Sequence, residues 1–85
     1  MPAVDVRTRD QVQEYLSTLV GTTVGVAGVT PDDNIFDLGL DSLQLVEVKE
    51  AVRADLGVTL KFSDFFTHFT VADLATLVDA RAQEN

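Results

Sequence analysis

The amino-acid sequence predicts an all-α fold, a small four-helix bundle with three longer helices and one short helix. Three segments carry apolar residues at helical spacing near a capping signal, and a fourth, aromatic segment is long enough for one short helix. No segment has both the pattern of a strand and an evident partner strand, so no sheet is expected. The 85 residues are predicted to form one domain, residues 1–85.

The first predicted helix lies in the segment TRDQVQEYLSTLVG, residues 8–21. Thr8 and Gln11 form a capping-box pattern at its start, and Gly21 offers a stop at its end. Four residues at i, i+3, i+4 and i+7 spacing form the stripe that should be buried: Val12, Tyr15, Leu16 and Leu19.

The segment that follows has the composition of a loop, with several glycines, Pro31 and the pair Asp32 and Asp33. It runs for about twenty residues, which is long for a structureless loop in a compact domain. A strand over residues 24–29 is conceivable. We expect apolar side chains to hold this loop against the core: Val24, Val26, Val29, Ile35, Phe36 and Leu38.

The second helix is predicted at Ser42–Leu56 and should end at Gly57. Asp41 is its expected N-cap, because Gln44 lies three residues beyond it and Leu40 and Leu45 bracket it as a hydrophobic staple. The buried stripe falls within a narrow arc at 100° per residue: Leu45, Val48, Val52 and Leu56.

Two further helices complete the predicted bundle. The segment FSDFFTHF should form a short helix that is capped by Ser63 and anchored by three aromatic rings: Phe62, Phe65 and Phe66. The last helix should start at the cap Thr70, with Asp73 as a weaker capping-box partner and with Phe69 and Leu74 as a staple. Its predicted buried stripe has four members: Val71, Leu74, Ala75 and Val78.

Composition and charge exclude several functions. Fourteen acidic against six basic side chains give a net charge of −8, which repels nucleic acid and anionic lipid, so neither is an expected ligand. The absence of cysteine excludes disulfides and thiolate nucleophiles. No apolar run has membrane-spanning length, and MPAVDVRTRD lacks the apolar core of a signal peptide. We therefore expect a monomeric cytoplasmic protein.

Ser42 raises three possible interpretations. With Asp41 as the cap, Ser42 takes the first helical position, where a free hydroxyl beside the helix N-terminus suits an attached anion such as a phosphodiester. A role as the N-cap itself is the ordinary alternative. A catalytic serine is disfavoured, because there is no G-x-S-x-G motif and the single histidine, His68, is expected to be solvated or to cap a helix.

The acidic loop is a weaker candidate for a metal site. Its four aspartates lack the alternating ligand spacing and the glycine of an EF-hand loop, so we predict solvated carboxylates and no metal. These aspartates are Asp32, Asp33, Asp37 and Asp41.

The stretch LGLDSL, residues 38–43, resembles the phosphopantetheine attachment site of acyl and peptidyl carrier proteins. The preceding FDLG and the later TVADLA match the same family in register. The resemblance implies an acyl-carrier-protein-like bundle without catalytic activity of its own. It also implies that a phosphopantetheinyl transferase attaches 4'-phosphopantetheine to Ser42, between Asp41 and Leu43, and that loading and accepting enzymes then use the arm's thioester.

The type of carrier is a finer prediction. Lys49 and Arg53 interrupt the acidic second helix that fatty-acid carriers usually have, and Leu40 replaces a glycine common in peptidyl carriers. The sequence looks most like discrete acyl carriers of polyketide or hybrid pathways, and we expect a free-standing protein. An aminoacyl or peptidyl carrier is one alternative, and a helical adaptor without a phosphopantetheine arm is another.

The second helix also predicts a partner-binding surface. Leu43 and Val46 lie beside Ser42 and do not belong to the core stripe. Charged residues border them: Glu47, Glu50 and Arg53. We expect partner enzymes to dock here, the alternative being partial burial of the two apolar side chains against the loop.

Overall fold

The computed structural model describes residues 6–84 and confirms the all-α fold. The ends of the predicted domain, residues 1–5 and 85, lie outside the described residues. Within residues 6–84, the β pairing consists of one isolated antiparallel bridge between Asn34 and Thr70. The helices follow in the predicted order: α1 Arg9–Val24, α2 Ser42–Leu56, α3 Phe62–Thr67 and α4 Val71–Gln83.

A single cluster of buried apolar side chains joins the helices, and polar contacts fix α1 against its neighbours. Arg9 Nε donates to the Thr76 hydroxyl and Arg9 Nη2 to the Ala72 carbonyl of α4, both at 2.8 Å. The Tyr15 hydroxyl donates to the carboxylate of Asp55 on α2. Partial burial, with this hydrogen bond, raises the pKa of Tyr15 well above its usual range, so the phenol stays protonated as a donor.

The first helix is longer than predicted, and Gly21 is not its stop. α1 continues to Val24, and Gly25 caps it in the left-handed conformation at φ 76°. Gly21 instead permits close packing, because a Cβ added there would lie 2.7 Å from the Val26 carbonyl oxygen. The predicted stripe is confirmed at its centre by the buried side chains of Val12 and Leu16, while Tyr15 and Leu19 are half-buried at its edge.

The long loop is held by its apolar side chains with one exception. Ile35 is fully buried, and four of its predicted neighbours pack partly buried against the core: Val24, Val29, Phe36 and Leu38. Val26 was wrongly assigned, since 39% of it is exposed. The conceivable strand over residues 24–29 is also wrong, because Val24 still belongs to α1 and residues 25–29 form turn and coil.

The short helix α3 differs most from the prediction. Ser63 is not its cap; Lys61 occupies the N-cap position, and its amide donates to the Asp64 carboxylate at 2.8 Å. Phe65 is buried as expected, but Phe62 and Phe66 are 45% and 62% exposed. A six-residue surface helix buries one face, and residues four positions apart share the other.

The prediction for α4 is confirmed in its cap and its core face. The Thr70 hydroxyl accepts from the Asp73 amide at 3.1 Å, and the four residues of the stripe are fully buried. Phe69 is 43% exposed whereas Leu74 is buried, so the structure does not support their staple. No helix among residues 6–84 is long and apolar enough to cross a membrane.

Candidate functional site

The head of α2 is fixed by a reciprocal capping box, as the sequence predicts. The Asp41 carboxylate accepts from the Gln44 amide at 2.8 Å, and the Asp41 amide donates to Gln44 Oε1 at 3.1 Å. Gln44 Nε2 also donates to the Thr23 carbonyl at 3.2 Å, which ties this turn to the end of α1. Leu40 and Leu45 are buried on either side of the cap, so the start of α2 has a defined position.

Ser42 is the first residue of α2 and is exposed. Because Asp41 performs the capping, the Ser42 hydroxyl is not needed to satisfy a backbone amide. The chain reaches this position through Gly39, which has φ 97° and makes the turn before the cap. The result is a free hydroxyl on a rigid turn, beside the first-turn N–H groups of a 15-residue helix.

The structure does not bring a catalytic set together around this serine. His68 is the C-cap of α3, and its Nδ1 lies 2.9 Å from the Thr67 hydroxyl. Of the loop carboxylates, Asp33 accepts from the Thr30 amide at 2.8 Å, which is a turn contact. Among the described residues, no group of three or more histidine, aspartate or glutamate side chains is placed to hold a metal ion.

The predicted partner-binding residues lie on the outside of α2. Leu43 is 69% exposed and is open to solvent, whereas Val46 is 40% exposed and is partly covered. Glu47, Glu50 and Arg53 are also exposed. Arg53 donates to the Glu50 carboxylate at 2.7 and 3.0 Å, which leaves Glu47 as the acidic group beside the two apolar side chains.

A second apolar feature next to α2 was not predicted from the sequence. We call it the phenylalanine patch, and it consists of the exposed Phe62 and Phe66 with the half-buried Phe36. The rings of Phe36 and Phe66 are stacked, with centroids 5.2 Å apart and planes 11° from parallel. The ammonium of Lys49 on α2 lies 4.6 Å from the centroid of Phe62. The i, i+4 spacing of Phe62 and Phe66 was the available signal, because it places both on one face and Phe65 on another.

Comparison with known families agrees with the local sequence at this site. The family model described as "Phosphopantetheine attachment site" matches residues 10–78, which include all of α2 and α3. The chain belongs to this family. Its members are carrier domains that bear covalently attached 4'-phosphopantetheine and are not themselves catalytic.

The curated relatives are far longer proteins, of which this chain covers only a small part. The chain is 35% identical over 74 residues to a probable non-canonical nonribosomal peptide synthetase, CymA, of Salinispora arenicola, covering 86% of this chain and 1% of that protein. It is 34% identical over 61 residues to the isonitrile lipopeptide synthase of Streptomyces coeruleorubidus, covering 72% of this chain and 4% of that protein. It is 26% identical over 72 residues to the hybrid PKS-NRPS synthetase ucsA of Acremonium sp, covering 85% of this chain and 2% of that protein.

These comparisons confirm a phosphopantetheine carrier protein and set aside the helical adaptor. The chain spans only a few per cent of each relative, so the activity of the whole synthetases belongs to those proteins. Carrier domains of this family work with synthetase and transferase partners.

Proposed function

We propose that Ser42 is the attachment site and that this protein carries an acyl intermediate as a thioester on its phosphopantetheine arm. The observation that carries the proposal is that two adjacent residues have different roles at the head of α2. Asp41 caps the helix, and the adjacent Ser42 hydroxyl is exposed and available for modification. Ser63 also lies near a helix start, but α3 has only six residues and Ser63 lacks the D-S-L context.

The residues at this site fit the group that the family carries. A phosphodiester on Ser42 would lie beside the N-terminal turn of α2, where the helix dipole favours negative charge. The arm supplies a reactive thiol to a chain without cysteine. The role of the protein's own residues is to hold the hydroxyl outward and to keep the arm's base rigid through the contacts of Asp41 and Gln44.

The proposed cargo is acyl, in polyketide-type or hybrid secondary metabolism. The motif LGLDSL, with Leu40 where peptidyl carriers often have glycine, supports this choice. An aminoacyl or peptidyl cargo is the second candidate, and the nonribosomal peptide synthetases among the relatives favour it. In either case the tether raises the local concentration of substrate for the next enzyme.

Partner enzymes are proposed to dock on the first half of α2. They comprise a phosphopantetheinyl transferase, a loading enzyme and an acyltransferase or synthase that accepts the cargo. Leu43 and Val46 would be buried in these complexes, while charges at the rim orient the encounter. We also propose that residues 1–85 form one monomeric carrier domain that works in the cytoplasm.

Intact mass spectrometry tests the attachment site. The protein is incubated with coenzyme A and a broad-specificity phosphopantetheinyl transferase, and we expect one added phosphopantetheine group. Ser42→Ala should remain folded and gain nothing, because the helix cap is Asp41. Ser63→Ala is the matched control and should be modified at the normal rate. Modification that persists in Ser42→Ala would show that another residue is the attachment site.

A further inference from the structure

Most of the large apolar side chains that are exposed among the described residues lie on α2 and α3. Six large apolar side chains are exposed in the described part of the chain, and four of them belong to α2 and α3: Leu43, Val46, Phe62 and Phe66. The contacts of Phe62 with Lys49 and of Phe66 with Phe36 place α3 against α2 and against the loop that leads to Ser42. A grouped apolar surface of this kind marks a binding site more often than scattered exposed residues do.

Lys49 connects the phenylalanine patch to the face of α2 that carries Ser42, because seven residues span about two helical turns. Phe36 precedes Ser42 by six residues, so the two Cα atoms are at most about 20 Å apart. Lys49 follows Ser42 by seven residues on α2, a rise of about 10 Å, and Phe62 lies under its ammonium. A phosphopantetheine arm has the length of about four to five extended residues, or roughly 15 Å.

We propose that the phenylalanine patch is an intramolecular resting site for the cargo on the arm, and that it takes an uncharged apolar acyl group. This inference rests on the proposed attachment at Ser42. Because the tether holds the cargo at an effective concentration of about millimolar, a contact of only millimolar affinity is sufficient to populate the docked state. The exposed rings offer a face for stacking an aryl group or packing an alkyl group.

The charges around the patch distinguish acyl from aminoacyl cargo. The face of Phe62 already carries the Lys49 ammonium at 4.6 Å, and Lys61 next to it is exposed. The carboxylate nearest along α3, Asp64, is paired with Arg81 and is not available to a ligand cation. Asp37 lies on the Phe36 side of the patch. An α-ammonium brought to Phe62 would therefore meet the like charges of Lys49 and Lys61, whereas a neutral acyl group has no charge for the two lysines to repel.

Nuclear magnetic resonance of the loaded protein tests whether the cargo docks on the phenylalanine patch. The transferase loads Ser42 from three coenzyme A thioesters: acetyl, 3-phenylpropanoyl and phenylalanyl. The last two have the same ring and chain length and differ in the α-ammonium. We expect contacts between the ring protons of the 3-phenylpropanoyl group and those of Phe62 and Phe66. The docked fraction should fall at least threefold for the phenylalanyl group, and the acetyl group should leave the patch resonances unchanged.

Two variants provide the matched controls. Phe66→Ala should abolish the contacts between the cargo and the patch, while Phe69→Ala should retain them. Phe69 is about as exposed as Phe62 but is not stacked on the rings of the patch. Cargo contacts with core residues of α4, or contacts that depend on protein concentration, would overturn the proposal in favour of interior binding or a second copy. Equal docking of the phenylalanyl group would overturn the acyl preference. Failure of loading would instead refute attachment at Ser42.

Discussion

At the start of α2 and at the start of α3, an aspartate carboxylate accepts a hydrogen bond from a backbone amide. Asp41 is exposed, and no cation contacts it in the part of the chain that the structure describes. Asp64 is only 8% exposed and accepts from Arg81 Nη1 and Nη2 as well as from the Lys61 amide. The same chemistry therefore leaves the Ser42 hydroxyl out of the cap at α2, whereas at α3 it fixes the helix to α4.

This difference shows that a capping signal alone does not distinguish a functional helix start from an anchor. The deciding feature is the second partner of the carboxylate. Arg81 also donates to the Thr59 carbonyl at 3.2 Å, so it joins α4 to the α2–α3 loop as well as to α3.

The largest loss of stability is expected when the charge of Asp64 is removed. Asp64→Asn removes the carboxylate charge that pairs with the Arg81 guanidinium. Because 28% of the Arg81 side chain remains exposed, we expect a loss of about 2 kcal/mol in the free energy of unfolding, less than for a fully buried pair. Urea denaturation measures this value.

The matched control is Asp41→Asn. Asparagine caps helices about as well as aspartate, and Asp41 has no ion pair among the described residues, so the cost should be below about 0.5 kcal/mol. Equal losses in the two variants would contradict the distinction between the two helix starts.

Lowering the pH should weaken the ion pair between Asp64 and Arg81. The Arg81 hydrogen bond, which outweighs the effect of burial, lowers the pKa of Asp64. A carboxyl whose pKa is lower in the folded state contributes stability that is present above its unfolded pKa of about 3.9 and is lost as pH falls through the folded value. We expect the stability difference between the wild type and Asp64→Asn to shrink below about pH 4. A difference that is constant with pH would assign the effect to packing.

The same contrast explains what the sequence could predict. The bounds of α2 and its cap follow from local signals, since Asp41 and Gln44 are three residues apart and Gly57 ends the helix. The structure of α3 depends on Arg81, which lies 17 residues beyond Asp64, and no local pattern reveals that pairing.

The outward phenylalanines were misassigned for a related reason. The sequence predicts that Phe62 and Phe66 anchor α3, but a short helix on a small domain buries only one side. The extension of α1 beyond Gly21 to Val24 was also not predicted from the local sequence. Gly21 is instead the residue against which the Val26 carbonyl packs, a contact between residues that local sequence does not reveal.

An intermediate effect is expected for Asp41→Ala. It removes the side-chain acceptor of the Gln44 amide and should cost about 1 kcal/mol of stability. It should also slow modification by the transferase, because the base of the arm becomes less ordered and an acidic contact is lost. Asp41→Asn separates the two causes, since it keeps the cap and removes the charge. Normal stability and normal modification of Asp41→Ala would show that Asp41 has neither role.

The smallest effect on stability, with a large effect on function, is expected for Val46→Asp. Val46 is 40% exposed and lies one turn from Ser42, so a carboxylate there should change the free energy of unfolding by no more than about 0.5 kcal/mol. Modification of Ser42 by the transferase should slow at least tenfold, because docking would bury that charge in an apolar contact. Val26→Asp is the matched control, since Val26 is 39% exposed on the loop after α1 and should be modified at the normal rate. If Val46→Asp unfolds, Val46 belongs to the core, and if both variants react normally, partner enzymes dock on another surface.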